Sequence, residues 1–233
     1  MKYKTSKNSI QESFDKTLKG TNLQDIMIDL SDTTIDTLLK DELLKEIPVV
    51  KTLVAFAKLG ANIHDRLFLK KIISFMNGLK DIPHTERSRM IDKIDASKEQ
   101  RVKVGEKLLY IIDSCNDYEN SELVSRLFKA FIQEKISYDE FLRSSNAIER
   151  ITSYDLKWFL KNARKYMTVE EVGSLISSGL FDLYYEEIDV TVEDQDDHES
   201  TDKYKTRVDG GGAGVTISRI GVIILEIIGK KVL

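Results

Sequence analysis

Cysteine, proline and long uncharged apolar runs are scarce in this chain of 233 residues. Cys115 is the single cysteine, which excludes an internal disulfide and favours a reducing compartment. No run of about 18 apolar residues without charge occurs, which argues against a conventional membrane-spanning helix. The start, Met1 to Lys19, lacks the apolar region of a secretory signal. We therefore expect a cytoplasmic protein.

The scarcity of proline, with only Pro48 and Pro83, favours long helices. Apolar residues recur at spacings of three and four over residues 31–166, which predicts a helical bundle with antiparallel neighbours. Pro48 is expected in the first turn of one of these helices. Residues 1–30 show only a short apolar pattern and are predicted to be a loosely organised segment.

Three pairs of residues have the spacing of a capping box, in which a serine or threonine and a side chain three residues later close the start of a helix. The pairs are Ser97 with Gln100, Ser137 with Glu140, and Thr168 with Glu171. Each pair predicts a helix that begins immediately after it.

The character of the chain changes at residue 167. Leu180 to Val192 is predicted to be a strand, Glu193 to Asp202 a solvated acidic loop, and Tyr204 to Val208 a returning strand. Ile220 to Ile228 then predicts a closing helix. The predicted fold class is therefore mainly α, with a helical bundle followed by a small winged-helix-like α/β unit over residues 167–233 that contains a β-hairpin.

The winged-helix likeness depends on the order of helix, hairpin and helix and on two segments. These are Leu175-Ile-Ser-Ser-Gly-Leu-Phe181 and Thr216-Ile-Ser-Arg-Ile-Gly221. The resemblance implies DNA binding, but residues 166–233 hold 6 Lys/Arg and 14 Asp/Glu, a net charge of −8. Because DNA binding depends on cations that displace counterions from phosphates, we expect a nucleic-acid partner to be disfavoured.

A family resemblance extends from about Leu43 towards the C-terminus. It depends on Ile47-Pro-Val-Val50, Ala57-Lys-Leu-Gly-Ala-Asn-Ile-His-Asp-Arg-Leu-Phe68, Leu69-Lys-Lys-Ile-Ile-Ser-Phe-Met-Asn-Gly-Leu79, Val104-Gly-Glu-Lys-Leu-Leu109, Ser125-Arg-Leu-Phe-Lys-Ala-Phe131 and Ile136-Ser-Tyr-Asp-Glu-Phe141. With these motifs the chain resembles a type of uncharacterised bacterial protein, and its architecture is distantly similar to the abortive-infection alpha proteins. The resemblance implies a role in defence against phage and brings no catalytic residue with it.

Catalytic, cofactor and metal sites are not predicted. The histidines His64, His84 and His198 are far apart in the sequence and belong to no metal-binding motif. The glycine cluster at 210–214 could cradle a phosphate, but it lacks the Lys-Ser/Thr that follows a phosphate-binding loop. We favour a flexible or bulged connection between strands there. The predicted protein is accordingly not an enzyme.

The predicted function is protein interaction, either with a separate partner or by self-association, and the acidic loop is expected to attract a basic surface. The candidate partner-binding residues are Glu193, Asp194, Asp196, Asp197, Glu199 and Asp202. An alternative is a membrane-perturbing effector that uses a helical hairpin over residues 47–79, although a buried core hairpin explains the same pattern. The candidate membrane-facing residues are Lys51, Lys58, Arg66, Lys70 and Lys71.

Overall fold

A computed structural model describes residues 2–24, 35–58, 63–98, 100–194 and 204–229. Over these ranges the protein is mainly helical and has a small antiparallel sheet in its C-terminal part, which confirms the predicted fold class at that level. The described helices are α1 Lys2–Gly20, α2 Ile35–Lys40, α3 Glu42–Lys45, α4 Pro48–Lys58, α5 Ile63–Gly78, α6 His84–Asp95, α7 Val104–Ser114, α8 Tyr118–Ile132, α9 Tyr138–Arg150, α10 Ser153–Asn162, α11 Val169–Val172 with a 3₁₀ helix Gly173–Ser178, and α12 Arg219–Ile227.

The N-terminal segment is an ordered helix, so the prediction of loose organisation over residues 1–30 is wrong for the described part. Within α1, Phe14 and Leu18 are fully buried and belong to the main hydrophobic core. Thr17 is also buried, and its hydroxyl oxygen accepts a hydrogen bond of 3.1 Å from the backbone N–H of Val49. The helix packs against α4 and α6, which supply partners that are distant in the sequence.

Two of the three predicted capping boxes are confirmed. The Ser137 and Thr168 side chains accept from the backbone N–H three residues later, and Glu140 and Glu171 complete the boxes. The predicted box at Ser97 is wrong, because the next helix begins only at Val104. The backbone N–H of Val104 donates instead to Asp95 at the end of α6, over 2.8 Å. A side chain from another element thus satisfies this donor at the start of α7.

The centre of the bundle is the packing of α5 against α8. Phe75 of α5 lies between Phe14 and Phe128, with ring centroids 6.2 and 5.9 Å apart. Phe128 continues the aromatic series to Phe141 of α9 at 5.4 Å. As predicted, α4 begins at Pro48. This helix packs one side into the bundle next to α5, because four of its side chains join the same core, Val49, Val50, Leu53 and Val54.

The C-terminal unit contains five described strands, which form two sheets. They are β1 Tyr166–Thr168, β2 Phe181–Tyr185, β3 Ile188–Asp194, β4 Tyr204–Gly210 and β5 Ala213–Ile217. The first sheet has the order β1-β5-β2, and the second is the two-stranded pair of β3 and β4. All pairings are antiparallel.

The predicted strand over Leu180 to Val192 is broken at residues 186–187, which corrects that boundary. The facing residues of the hairpin are glycines, and Gly210 and Gly211 have φ angles of 85° and 78°. This left-handed backbone does not fit a regular strand, so the ladder is interrupted. The register of residue pairs is nevertheless the same on both sides of the break.

The C-terminal unit shares the hydrophobic core of the bundle. Ile223 and Ile224 of α12 are buried, and the helix packs against α8 and α9. Phe181 of β2 makes an edge contact with Phe159 of α10, with centroids 5.5 Å apart. These contacts fix the base of the hairpin to the helices.

Candidate interaction surface

The pair of β3 and β4, called the ribbon below, has two chemically different faces. Side chains alternate between the faces of a strand, so Ile188, Val190 and Val192 share one side of β3. Val208 of β4 lies directly opposite Val190 and therefore belongs to the same side. These four residues are called the apolar face.

The apolar face is open to solvent. The exposed fractions are 66% for Ile188, 54% for Val190, 59% for Val192 and 61% for Val208. Single exposed apolar residues are common on proteins, but four neighbouring ones on a strand pair are typical of a contact surface. An isolated two-stranded ribbon is also marginally stable in water, so a covering partner would stabilise it.

The opposite side of the ribbon is charged. Asp189 of β3 lies directly opposite Asp209 of β4, and Thr191 lies opposite Arg207. The Arg207 Nε lies 2.7 Å from Asp209 Oδ2, so this guanidinium is paired within its own strand. All four residues are exposed. Water solvates this side, and the hydrophobic driving force for binding is confined to the apolar face.

The glycine cluster forms the joint between the ribbon and the first sheet. A Cβ on Gly210 would lie 2.0 Å from the carbonyl oxygen of Glu187, and the φ of that glycine is positive. Only glycine fits this position without strain. The cluster lies in the connection between β4 and β5, in agreement with the favoured sequence interpretation.

Exposed aromatic residues extend the surface towards the base of the hairpin. Tyr166 of β1 and Tyr184 of β2 make an edge contact with ring centroids 6.2 Å apart. The Tyr184 ring lies across Gly214, where a Cβ would be 2.4 Å from the ring carbon Cζ. Lys165 adds its ammonium 5.1 Å from the Tyr166 ring centroid. Tyrosines at such a border suit binding, because each combines apolar area with a polar end.

The predicted acidic residues lie at the far end of the ribbon or beyond it. Glu193 and Asp194 are the last residues of β3 and pair in register with Lys205 and Tyr204. The side chains of Glu193 and Asp194 are outside the described part of the structure, as are all of Asp196, Asp197, Glu199 and Asp202. The acidic loop hypothesis therefore stays a prediction.

The predicted membrane-facing cations do not share one environment, and those on α5 contact different protein groups. On α5, the Lys70 ammonium lies 4.0 Å from the Tyr118 ring centroid, and Lys71 donates 2.8 Å to the carbonyl of Asp113. Arg66 lies 3.5 Å from Asp36, and Lys51 is exposed on α4. The Lys58 side chain is outside the described residues.

Many apolar side chains of the same hairpin are fully or almost fully buried, Ile72 and Phe75 among them, whereas Ile63 and Leu67 in the first turns of α5 are exposed. Release of the buried side chains towards a membrane would cost about 1.5–3 kcal/mol for each side chain that leaves the core. Over the described ranges, no helix is both long enough and apolar enough to cross a membrane.

Two of the three histidines are exposed and the cysteine is buried. His64 and His84 are exposed, and His64 Nε2 lies 3.5 Å from Asp113 Oδ1. His198 is outside the described residues. Among residues with described positions, no group of three or more His, Cys, Asp or Glu side chains could hold a metal ion. Cys115 is buried, and burial raises the pKa of its thiol to about 12.

A cleft of about 540 Å³ lies where α9 meets the C-terminal unit. The Nε of Arg219 donates to Glu140 over 2.8 Å, and Arg143 lies 3.1 Å from Asp139. The backbone N–H of Ser137, followed by the Arg219 guanidinium, holds the pKa of Glu140 below its usual range. This carboxylate is therefore ionised at neutral pH and paired with Arg219.

Sequence reasoning did not single out the apolar face as a candidate site. The signal was present, because Ile188 to Glu193 alternates apolar and polar residues, as a strand with one covered face does. The segment was predicted to be a strand, but no sequence pattern says whether its apolar face is covered by the same chain.

Comparison of the chain with protein-family models, curated proteins and solved structures gave no match.

Proposed function

We propose that this protein is a non-enzymatic interaction module that binds a protein partner through the apolar face of its ribbon. One observation carries the proposal: Ile188, Val190, Val192 and Val208 are each more than half exposed on an element that the bundle does not cover. The tyrosines at the base widen this surface, and the acidic loop is proposed to attract a basic partner.

The free energies expected for apolar burial and for ion pairs indicate which of these features contributes most of the affinity for the partner. Covering side chains that are already about half buried contributes on the order of 1 kcal/mol for each of the four apolar residues. A solvent-exposed ion pair contributes about 0–1 kcal/mol and is screened by salt. The apolar face therefore supplies most of the affinity, while the carboxylates increase the rate of encounter.

The experiment compares two substitutions on adjacent residues of β3. Val190→Asp places a carboxylate on the apolar face, and Thr191→Asp adds the same charge to the opposite side as a matched control. Each variant is used as bait for affinity capture from the native host, with circular dichroism to verify folding. Loss of a partner with Val190→Asp and its retention with Thr191→Asp is the expected result. Equal capture by both variants would refute the proposal.

The finer fold description that we propose is a winged-helix-like unit. Its support is the sheet order β1-β5-β2, with α11 and the 3₁₀ helix placed between β1 and β2. DNA binding by this unit is disfavoured, because α11 and the 3₁₀ helix, Val169 to Ser178, contain no lysine or arginine. Arg164 is paired with Glu171, and Arg207 with Asp209.

The biological setting that we propose is bacterial defence against phage. The proposal rests on the distant similarity of the chain's architecture, a helical body joined to a winged-helix-like end, to the abortive-infection alpha proteins. Plaque formation on cells with the wild-type chain, with Val190→Asp and without the chain tests it. Protection by the wild type that Val190→Asp abolishes is the expected result, and equal plaque numbers in all three would contradict the setting.

A further inference from the structure

We infer that the partner binds as an added β-strand along β2 and β3, and that its binding segment alternates basic and β-branched residues. The inference rests on the proposed function, since it assigns a binding mode and a partner chemistry to the same ribbon. It begins from an asymmetry in the sheet. Among the described strands β5 is paired on both sides, with β1 and β2, whereas β2 has β5 on one side only, and β3 and β4 pair only with each other. Of the two free sides of the ribbon, that of β3 continues the free side of β2 and borders three of the four residues of the apolar face.

The unpaired side of β2 and β3, called the open edge below, runs from Phe181 to Asp194 in one register. An edge strand presents backbone N–H and C=O groups to solvent at alternate residues and can pair with another chain. Addition of a strand to such an edge is a common mode of peptide recognition, in which main-chain hydrogen bonds supply affinity and alternate side chains supply specificity.

Charge identifies the occupant of the open edge. The segment from Phe181 to Asp194 contains six acidic residues and no lysine or arginine. A second copy of this chain that paired through the same edge would bring carboxylates next to carboxylates, which is unfavourable. A strand with lysine or arginine at alternate positions would instead place them beside Asp189 on the charged side.

The other alternate positions of the bound segment would extend the apolar face. Beside Ile188, Val190 and Val192, valine, isoleucine or threonine fits a pleated and half-covered surface. The apolar face then becomes three strands wide, and the body of the partner can cover it. The inferred ligand is therefore an extended amphipathic segment with one basic and one apolar side.

A peptide of the sequence acetyl-Lys-Val-Lys-Val-Thr-Val-Lys-amide, carrying a fluorescent dye, tests the inference by anisotropy with the full chain. Two N-methylated forms remove the backbone donors of one or the other set of alternate residues without changing charge. We expect the parent peptide and one N-methylated form to bind, and the other form to bind at least about tenfold more weakly. Equal binding of both methylated forms, or no binding of the parent peptide, would overturn the inference.

Variants of the chain provide a second, independent readout. Asp189→Lys reverses the charge on the open edge, and Asp209→Lys is its matched control on the directly opposite residue of β4. We expect about tenfold weaker peptide binding for Asp189→Lys and less than about threefold for Asp209→Lys. Equal weakening by both substitutions would indicate a general charge effect and contradict strand addition.

Failure of this inference is distinguishable from failure of the proposed function. If no peptide binds while Val190→Asp still abolishes partner capture, the ribbon is a binding surface but the strand-addition inference is wrong. If the full chain forms a dimer in sedimentation velocity that Val190→Asp dissociates, the occupant is a second copy, and the basic-segment inference is also wrong.

Discussion

The Nε of Arg87 donates a hydrogen bond of 2.8 Å to the carbonyl oxygen of Leu18, which ties α6 to the last turn of α1. The same guanidinium donates to the carbonyls of Thr21, Leu79 and Ile82. Arg87 is fully buried, and burial lowers the pKa of its guanidinium to about 10. It therefore stays charged at neutral pH and satisfies carbonyls at the ends of two helices.

Arg87→Lys should reduce the free energy of unfolding by about 2–4 kcal/mol, because an ammonium cannot reach the same carbonyls and leaves buried acceptors unsatisfied. Urea unfolding followed by circular dichroism measures the change. Arg89→Lys is the control on the same helix, since Arg89 is exposed and lies 3.6 Å from Glu134. It should change stability by less than about 0.5 kcal/mol. Equal effects of the two substitutions would contradict the anchoring role of Arg87.

Asp15→Asn should change how stability depends on pH. Burial is the largest cause that raises the pKa of the Asp15 carboxyl, and Asp95 and Glu106 add to it, while Lys19 and Lys103 oppose it. The Oδ1 atom is also buried without a hydrogen-bond partner. A raised pKa in the folded state means that ionised Asp15 destabilises the fold above that pKa.

As the pH rises from the pKa of Asp15 in the unfolded state through its higher pKa in the folded state, wild type should lose stability relative to Asp15→Asn. Chemical unfolding of both proteins at pH 4 and pH 7 measures the difference. The advantage of Asp15→Asn should be larger at pH 7, and a larger advantage at pH 4 would be inconsistent with the raised pKa.

Gly221→Ala should destabilise the packing of α12. A Cβ on Gly221 would lie 2.4 Å from the backbone carbonyl oxygen of Leu180, which cannot move away as a flexible side chain would. We expect a loss of about 1–3 kcal/mol in thermal or urea unfolding. Gly20→Ala is the control, because nothing lies within 4 Å of the added Cβ. It should stabilise by up to about 1 kcal/mol, and equal losses in both variants would refute the close approach.

The helices and the apolar ribbon differ in how far the sequence alone determines them. The capping boxes at Ser137 and Thr168 involve residues three apart, so local spacing could predict them, although the same spacing at Ser97 gave no box. The burial of α1 depends on Phe14 and Leu18 meeting α4 and α6, and on Arg87, which is 69 residues away from Leu18. Such partners are set by tertiary packing, and the sparse apolar pattern of the segment did not reveal them.

The break in the hairpin has a similar origin. Leu180 to Val192 has a continuous strand composition, and the interruption comes from the left-handed Gly210 and Gly211 on the opposite strand. Apolar and polar residues alternate along Ile188 to Glu193, but the prediction was of a strand alone and did not include its two different faces. The exposure of its apolar side is a property of the tertiary structure, because the main contacts of the described helices lie within the bundle and at the base of the hairpin.

Cys115 should react slowly with thiol reagents in the folded protein. Its Sγ donates to the carbonyl of Ile111 over 3.3 Å, and burial raises the thiol pKa to about 12, so the reactive thiolate is rare at pH 8. Labelling with a disulfide reagent should be at least about 100-fold slower than in unfolding concentrations of guanidinium. Rapid labelling of the folded chain would contradict the buried position.

Site-specific crosslinking on the two faces of the ribbon shows which face contacts a partner. A photoreactive phenylalanine replaces Val208 on the apolar face or Arg207 on the charged side of the same strand, and each chain is irradiated in its native host. We expect a discrete crosslinked protein partner from position 208 and little crosslinked product from position 207. Crosslinking from 207 with none from 208, in chains that fold normally, would contradict the apolar face as the binding surface.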